Sequence, residues 1–184
     1  MSSVAEEKAS LRKQLRLSRA DRPTNAEEST RLSQQLGQLC LDHKFRTVAA
    51  YFPIQGEPDI REFLNWALAN DIKILLPIVS GDQLNWVHFE GKTEFGELGF
   101  EEGTGKPASL SSVDAAFIPA MAVDFSGNRL GKGKGFYDKA LANSKVKTIA
   151  VIFDEEILMQ LPSEAHDQKV NAAISSSKLL WFNR

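Results

Sequence analysis

TVAAYFPIQGEPDIREFLNWALANDIKILLPI, residues 47–78, decides the fold, because its hydrophobic period changes twice along the stretch. Thr47 to Phe52 is a short run of β-branched, aromatic and small residues stopped by Pro53, and it reads as a buried strand. The loop Pro53 to Pro58 follows. Asp59 can then cap a helix from Ile60 to about Asn70, with Glu62 at its third position. Phe63, Leu64, Ala67 and Leu68 give this helix an inward stripe, and a second strand runs from Lys73 to Ile78. Two strands joined by a helix are expected to be parallel, since parallel neighbours need a crossover and a helix is the usual one.

The same alternation extends in both directions. Beyond Gly81-Asp82, apolar and polar residues alternate from Leu84 to Phe89, as in a hairpin or edge strand. Gly91 to Ser112 is glycine-rich and reads as irregular. Strand patterns return at Asp114 to Ile118 and at Thr148 to Phe153, with a helix over roughly Phe136 to Asn143 between them, and Ala172 to Ser175 adds a last short strand. Towards the amino terminus, Lys8 to Ala20 is an amphipathic helix with Leu11 and Leu15 on one side and a cationic face of Lys8, Arg12, Arg16 and Arg19. Asp21-Arg22-Pro23 breaks it. Thr24 and Glu27 have capping-box spacing and open a second helix, where Leu32, Leu36, Leu39 and Cys40 share a side until it fades near His43. The expected fold is α/β: a single domain over residues 1–184, with a mostly parallel central sheet and helices on both faces.

Composition narrows the functional classes. The 184 residues are 42% hydrophobic, enough for one continuous core, and no repeat or linker divides them. With 25% charged residues and a formal net charge of -2, the chain has no overall footprint for nucleic acid, so any anion site must be local. The lone Cys40 lies in a helical apolar pattern and reads as a reduced core thiol, which suits a cytoplasmic setting. Met1 to Glu7 is small and acidic, and no apolar run approaches the length of a membrane span, so a soluble, unsecreted protein without a membrane partner is expected.

The chemistry concentrates in Gly127-Asn128-Arg129-Leu130-Gly131-Lys132-Gly133-Lys134-Gly135-Phe136-Tyr137-Asp138, between a predicted strand and a predicted helix. Gly131, Gly133 and Gly135 alternate, so the backbone can approach a ligand and successive N–H groups can line an anion-binding concavity. The helix that follows adds a favourable dipole. Arg129, Lys132 and Lys134 bring fixed positive charge, which suits a polyphosphate. No Gly-Lys-Ser/Thr closes the loop as in a Walker A sequence, and the dinucleotide pattern fails at its third glycine. A flexible surface turn with solvated lysines is the plain alternative. Phe136, Tyr137 and Asp138 weigh against it, because a carboxylate beside a phosphate cradle suits a magnesium ion.

This stretch, from Pro119 through Asp124 to Asp138, resembles the signature of the 5-formyltetrahydrofolate cyclo-ligase family, Gly-x-Arg-Leu-Gly-Tyr-Gly-x-Gly-Tyr-Tyr-Asp preceded by Pro and Phe-Asp. Lys8-x-x-Leu11-Arg12, Tyr51-x-Pro53-x-x-Gly56-Glu57 and His166-Asp167 resemble further family motifs in the same order. The resemblance implies ATP as co-substrate, magnesium as cofactor, and a small-molecule folate as substrate, cyclised by a phosphorylated formyl intermediate. It places Lys8 and Arg12 on ATP, and Arg129 with Gly131, Lys132, Gly133, Lys134 and Gly135 on its phosphates. Arg129, Lys132 and Lys134 would stabilise the moving phosphoryl group. Glu57 would contact the folate, Phe136 and Tyr137 would face both substrates, and Asp138 and Asp167 would bind magnesium. His166 reads as a hydrogen-bonding neighbour, since magnesium prefers oxygen. No nucleic acid is expected, and the expected unit is a monomer.

Three positions depart from the family pattern. Lys132 replaces a Tyr, Phe136 replaces the first Tyr of Tyr-Tyr-Asp, and Glu101-Glu102-Gly103 lacks the usual Glu-Pro. They keep two rivals open: a non-catalytic nucleotide- or folate-binding member of the family, and an ATP-dependent kinase or ligase acting on another small amide or carboxylate.

Overall fold

The structure, a computed structural model, describes residues 3–142, 144–165 and 167–182. In chain order the elements are α1 (Val4–Ala20), α2 (Ala26–Asp42), β1 (Thr47–Ala49), α3 (Arg61–Ala69), β2 (Lys73–Ser80), β3 (Gln83–Phe89), β4 (Thr93–Phe95), β5 (Glu101–Gly103) and β6 (Pro107–Ala108). These are followed by β7 (Ala115–Pro119), β8 (Ala122–Asp124), β9 (Arg129–Leu130), α4 (Phe136–Leu141), β10 (Lys147–Val151), β11 (Ile157–Leu158), β12 (Ala172–Ile174) and β13 (Leu179–Trp181).

The main sheet has the order β13-β12-β10-β7-β1-β2-β3-β6. Its five inner strands from β12 to β2 are parallel, and β13, β3 and β6 add antiparallel edges. The stretch 47–78 forms the expected parallel pair, with Thr47 opposite Lys73 and Ala49 opposite Leu75. Alternation then sorts each strand's side chains between two cores. In β7, Ala115 and Phe117 join Val48, Ile74 and Ile149 beneath α2 and α3, whereas Ala116 and Ile118 join Ala49, Leu75 and Ala150 on the face that receives Leu141 of α4. Helices therefore cover both faces.

Several boundaries differ from expectation for local reasons. The helix expected from Lys8 begins at Val4, where Ser3 Oγ accepts from Glu6 N at 3.3 Å and Ser3 N donates to Glu6 Oε2 at 2.8 Å. This reciprocal cap starts a first turn too polar to show periodicity. Asn25 rather than Thr24 caps α2, accepting from Glu28 N at 3.1 Å. Asp59 does accept from Arg61 N at 3.0 Å, but the residue before α3 is Ile60, which offers no side-chain cap. The first strand stops at Ala49, short of Phe52, because the chain leaves the sheet to build a loop. Tyr51 is held there by its hydroxyl, which donates to Pro58 O at 2.8 Å.

Gly91 to Ser112 is less irregular than expected, since it holds the β4–β5 hairpin, β6 and a 3-10 turn over Leu110–Ser112. α4 ends at Leu141, and Asn143 lies outside the described residues. The core assignment of Cys40 agrees with its 1% exposure. Burial, helped by Asp114, pushes its thiol up to about 12, so it stays protonated and unreactive.

Candidate active site

The site is built from a carboxylate that never meets solvent. Asp124, 1% exposed at the end of β8, accepts four hydrogen bonds: Ser126 N and Asn128 N at 2.9 Å on Oδ1, Asn128 Nδ2 at 2.8 Å and Leu161 N at 3.0 Å on Oδ2. These bonds close the turn into β9 and fix where Arg129 begins. Its place in the motif was visible in the sequence, but its four bonds depend on the distant Leu161.

From β9 the chain enters the glycine loop. Gly133 and Gly135 adopt φ values of +104° and +69°, both in the left-handed region. Gly131 does not, but a Cβ there would lie 3.0 Å from Arg129 Nη1, so the guanidinium packs directly on the backbone. The N–H groups from Gly131 to Gly135 donate to no acceptor among the described residues. α4 has only six residues, so its dipole adds less than the longer helix expected would have supplied.

A cavity of about 570 Å³ opens over this loop. One wall is cationic: Lys8, Arg12 and Arg16 from α1, with Arg129 and Lys134 opposite. The other is apolar, formed by Pro77, Val79, Leu84, Leu98 and Phe100, with the buried Glu102 bonded to Val79 N at 3.0 Å. A cavity with one wall for anions and one for a ring system can hold two unlike ligands side by side.

The structure brings the expected residues to this one cavity, but most of them hold one another. Arg129 Nη2 donates to Asp138 Oδ1 at 2.8 Å, and its guanidinium lies 5.9 Å from the Tyr137 ring centre. Arg129 Nε is the single buried side-chain nitrogen or oxygen among the described residues without a hydrogen-bond partner. An unsatisfied buried donor in a cavity wall costs stability unless something binds there. Lys8 Nζ bridges Glu164 Oε2 at 2.8 Å and Asp167 Oδ2 at 2.6 Å. Burial alone would lower the Lys8 pKa, but these two carboxylates outweigh it and hold the ammonium above its ordinary range.

Arg12 Nε and Arg16 Nη2 donate to the carbonyls of Gly131 and Lys132 at 2.8 and 3.1 Å, so α1 grips the loop by its oxygens and leaves the N–H side untouched. Lys132 Nζ lies 2.8 Å from Glu57 Oε1, and Lys134 Nζ lies 5.7 Å from the centre of the Phe136 ring. Burial first, and the charge of Glu57 second, push the phenols of Tyr51 and Tyr137 upward, so Tyr137 can donate a hydrogen bond but does not serve as a base. His166 lies outside the described residues.

Sequence reading missed Glu164 and Glu156, and it read Arg19 only as part of a cationic helix face, without its buried partner Glu156. Glu164 has a faint signal, since it stands three residues before Asp167, whose Oδ2 accepts from Glu164 N at 2.6 Å. For magnesium, the donors present are the hard oxygens of Asp138 and Asp167, each already facing a cation. No group of three or more metal-binding side chains occurs among the described residues. Such a set fits an ion that arrives with phosphates and takes one or two carboxylates, not a closed protein cage.

An open α/β sheet with a glycine loop that leaves the short antiparallel strand β9, and with cationic and apolar walls facing each other across one cavity, has the build of a small-molecule enzyme. Comparison with known proteins makes this specific. Residues 4–176 match the 5-formyltetrahydrofolate cyclo-ligase family, and the chain belongs to it. A Mycolicibacterium smegmatis protein named 5-formyltetrahydrofolate cyclo-ligase is 37% identical over 134 residues, covering 66% of this chain and 69% of that one. The solved structure of Aquifex aeolicus 5,10-methenyltetrahydrofolate synthetase superposes with a TM-score of 0.84 at 26% identity, over 96% of this chain and 93% of that one. A 5,10-methenyltetrahydrofolate synthetase from Mycoplasma pneumoniae shares the fold, with a TM-score of 0.76 at 22% identity, over 92% and 99% of the two chains.

Proposed function

We propose that the chain closes 5-formyltetrahydrofolate to 5,10-methenyltetrahydrofolate with ATP and magnesium, releasing ADP and phosphate, as a cytoplasmic monomer. Support comes from the family membership and from one observation above all: unpaired loop amides and the unpaired Arg129 Nε share a cavity with an apolar wall. Among the described residues, no helix is long and apolar enough to cross a membrane.

A formamide is a poor electrophile because its nitrogen shares its lone pair with the carbonyl. In the proposed sequence the formyl oxygen attacks the γ-phosphorus and ADP leaves, which makes that oxygen part of a leaving group. Folate N10 then attacks the formyl carbon, loses its proton, and phosphate departs as the ring closes. Such transfer depends on positioning and charge neutralisation more than on a strong nucleophile. The amides from Gly131 to Gly135, Arg129 and Lys134 would hold the phosphates and neutralise the transferred group, with Lys8 and Arg12 closing over the nucleotide from α1. Magnesium, held by Asp138 and Asp167 together with the phosphates, would add electrostatic stabilisation there. Tyr137 and Phe136 would pack between the two substrates, and Glu57 would accept hydrogen bonds from the folate.

Incubation with 5-formyltetrahydrofolate, ATP and magnesium, followed by the ultraviolet absorbance of the methenyl product, tests the reading. Binding without turnover would favour the non-catalytic member, and ATP consumption only with another acceptor would favour the kinase or ligase. Arg129→Ala should lower kcat/KM by roughly a hundredfold or more with the far-ultraviolet circular dichroism unchanged. Unaltered turnover in that variant would remove Arg129 from the mechanism.

A further inference from the structure

We infer that Lys132 is a positioning residue for the folate half of the site, acting through Glu57, and is not a phosphate ligand; this rests on the cyclo-ligase reading above. Lys132 and Lys134 alternate with glycines and look equivalent in the sequence, but the loop sends them to different places. Arg12 and Arg16 hold the carbonyls of Gly131 and Lys132 from α1. The Lys132 side chain crosses to the loop of residues 53–58, where its ammonium meets Glu57 Oε1 at 2.8 Å.

Glu57 needs this partner. Its side chain is 5% exposed and its other oxygen has a single backbone donor, Ile54 N at 3.1 Å. A carboxylate this buried is costly unless paired, whereas the Lys132 side chain remains 40% exposed and gives up little hydration to pair with it. Together, one backbone amide and one ammonium fix the rotation of the carboxylate, and so the direction in which its remaining lone pairs face the cavity.

The pair also marks a boundary. Lys132, Glu57, Ile54 and Arg16 line both the main cavity and an adjoining groove of about 640 Å³. The Lys132–Glu57 bridge is thus the strut that joins the glycine loop to the Glu57 loop across the passage between them. It fixes the separation between the loop that would hold the phosphoryl donor and the carboxylate that would hold the acceptor. A residue with this task controls folate binding and leaves nucleotide affinity alone.

The test is a double-mutant cycle on the full chain with Lys132→Met, Glu57→Gln and both together, plus Lys132→Arg as the conservative variant, reading kcat and separate KM values for ATP and 5-formyltetrahydrofolate. Lys132→Met should raise the folate KM by roughly tenfold while the ATP KM stays within about twofold, the scale expected when one partner of a buried charged pair is lost. The double variant should be no worse than Glu57→Gln alone, and Lys132→Arg should recover most of the folate affinity. A larger effect on the ATP KM than on the folate KM, or single-variant effects that multiply, would overturn the inference while leaving the cyclo-ligase reading in place. A wild-type chain that forms no methenyl product would overturn both.

Discussion

Gly131 and Gly135 lie in the same loop and are glycine for different reasons, which a pair of substitutions can separate. Gly135 has φ +69° with nothing within 4 Å of where a Cβ would stand, so Gly135→Ala meets only backbone strain, about 1 kcal/mol. Gly131 has an ordinary φ, but its added methyl would press on Arg129 Nη1 at 3.0 Å. Gly131→Ala should therefore leave stability within about 0.5 kcal/mol and lower activity by displacing the guanidinium, whereas Gly135→Ala should lower stability by about 1 kcal/mol. Urea melts and initial rates on both proteins check the contrast, and matching profiles would contradict it. At this scale the sequence told much about which residues cluster and little about how they pair. Arg129, Lys132 and Lys134 were all visible as loop cations, but whether a cation faces Asp138, Glu57 or an aromatic ring depends on a backbone path set partly by Gly133 at φ +104°.

α1 shows the same division one level up. Its cationic face was legible from the spacing of Lys8, Arg12, Arg16 and Arg19, but its docking was not, because the partners lie more than a hundred residues away in sequence. Leu11 and Leu15 are only partly buried against Met121, Ala122, Leu130 and Leu161, so apolar contact alone holds the helix weakly. Arg19 supplies the anchor. It donates to both oxygens of Glu156 at 2.6 and 2.8 Å, to Ala120 O at 2.6 Å and to Gly56 O at 2.9 Å, with the Arg19 and Glu156 side chains 7% and 3% exposed. One residue thereby joins α1 to the loop that carries Glu57. Arg19→Met leaves Glu156 buried and unpaired, and should cost about 3–5 kcal/mol. Hydrogen exchange should quicken first in α1 and residues 53–58; uniform acceleration across the sheet would show that α1 is not a separable element.

Across the whole molecule, what was legible followed from local pattern. Short runs of apolar and β-branched residues gave the strands of the parallel core and the 3.6 period gave its covering helices, while β8, β9 and β11, two or three residues each, are too short to carry a pattern of their own and were missed. β13 was missed as well, and a polar staple adds to its pairing with β12 and to the packing of Leu179 on the core. Asp154, just beyond β10, accepts from Ser175 and Ser177 hydroxyls on Oδ1 and from Ser176 Oγ at 3.1 Å on Oδ2, stapling the exit of β10 to the turn between β12 and β13. Burial alone would raise its pKa, but these donors outweigh that and hold it below the ordinary 3.8. A carboxyl whose folded value lies below its unfolded value contributes stability that is fully present above the unfolded value and is lost as pH falls through the folded one. Asp154→Asn should therefore be less stable than wild type at pH near 7, and the gap should close at a pH below 3.8. Urea midpoints measured across that range decide the matter: an offset that stays constant into acid would mean that the serine staple works without its charge.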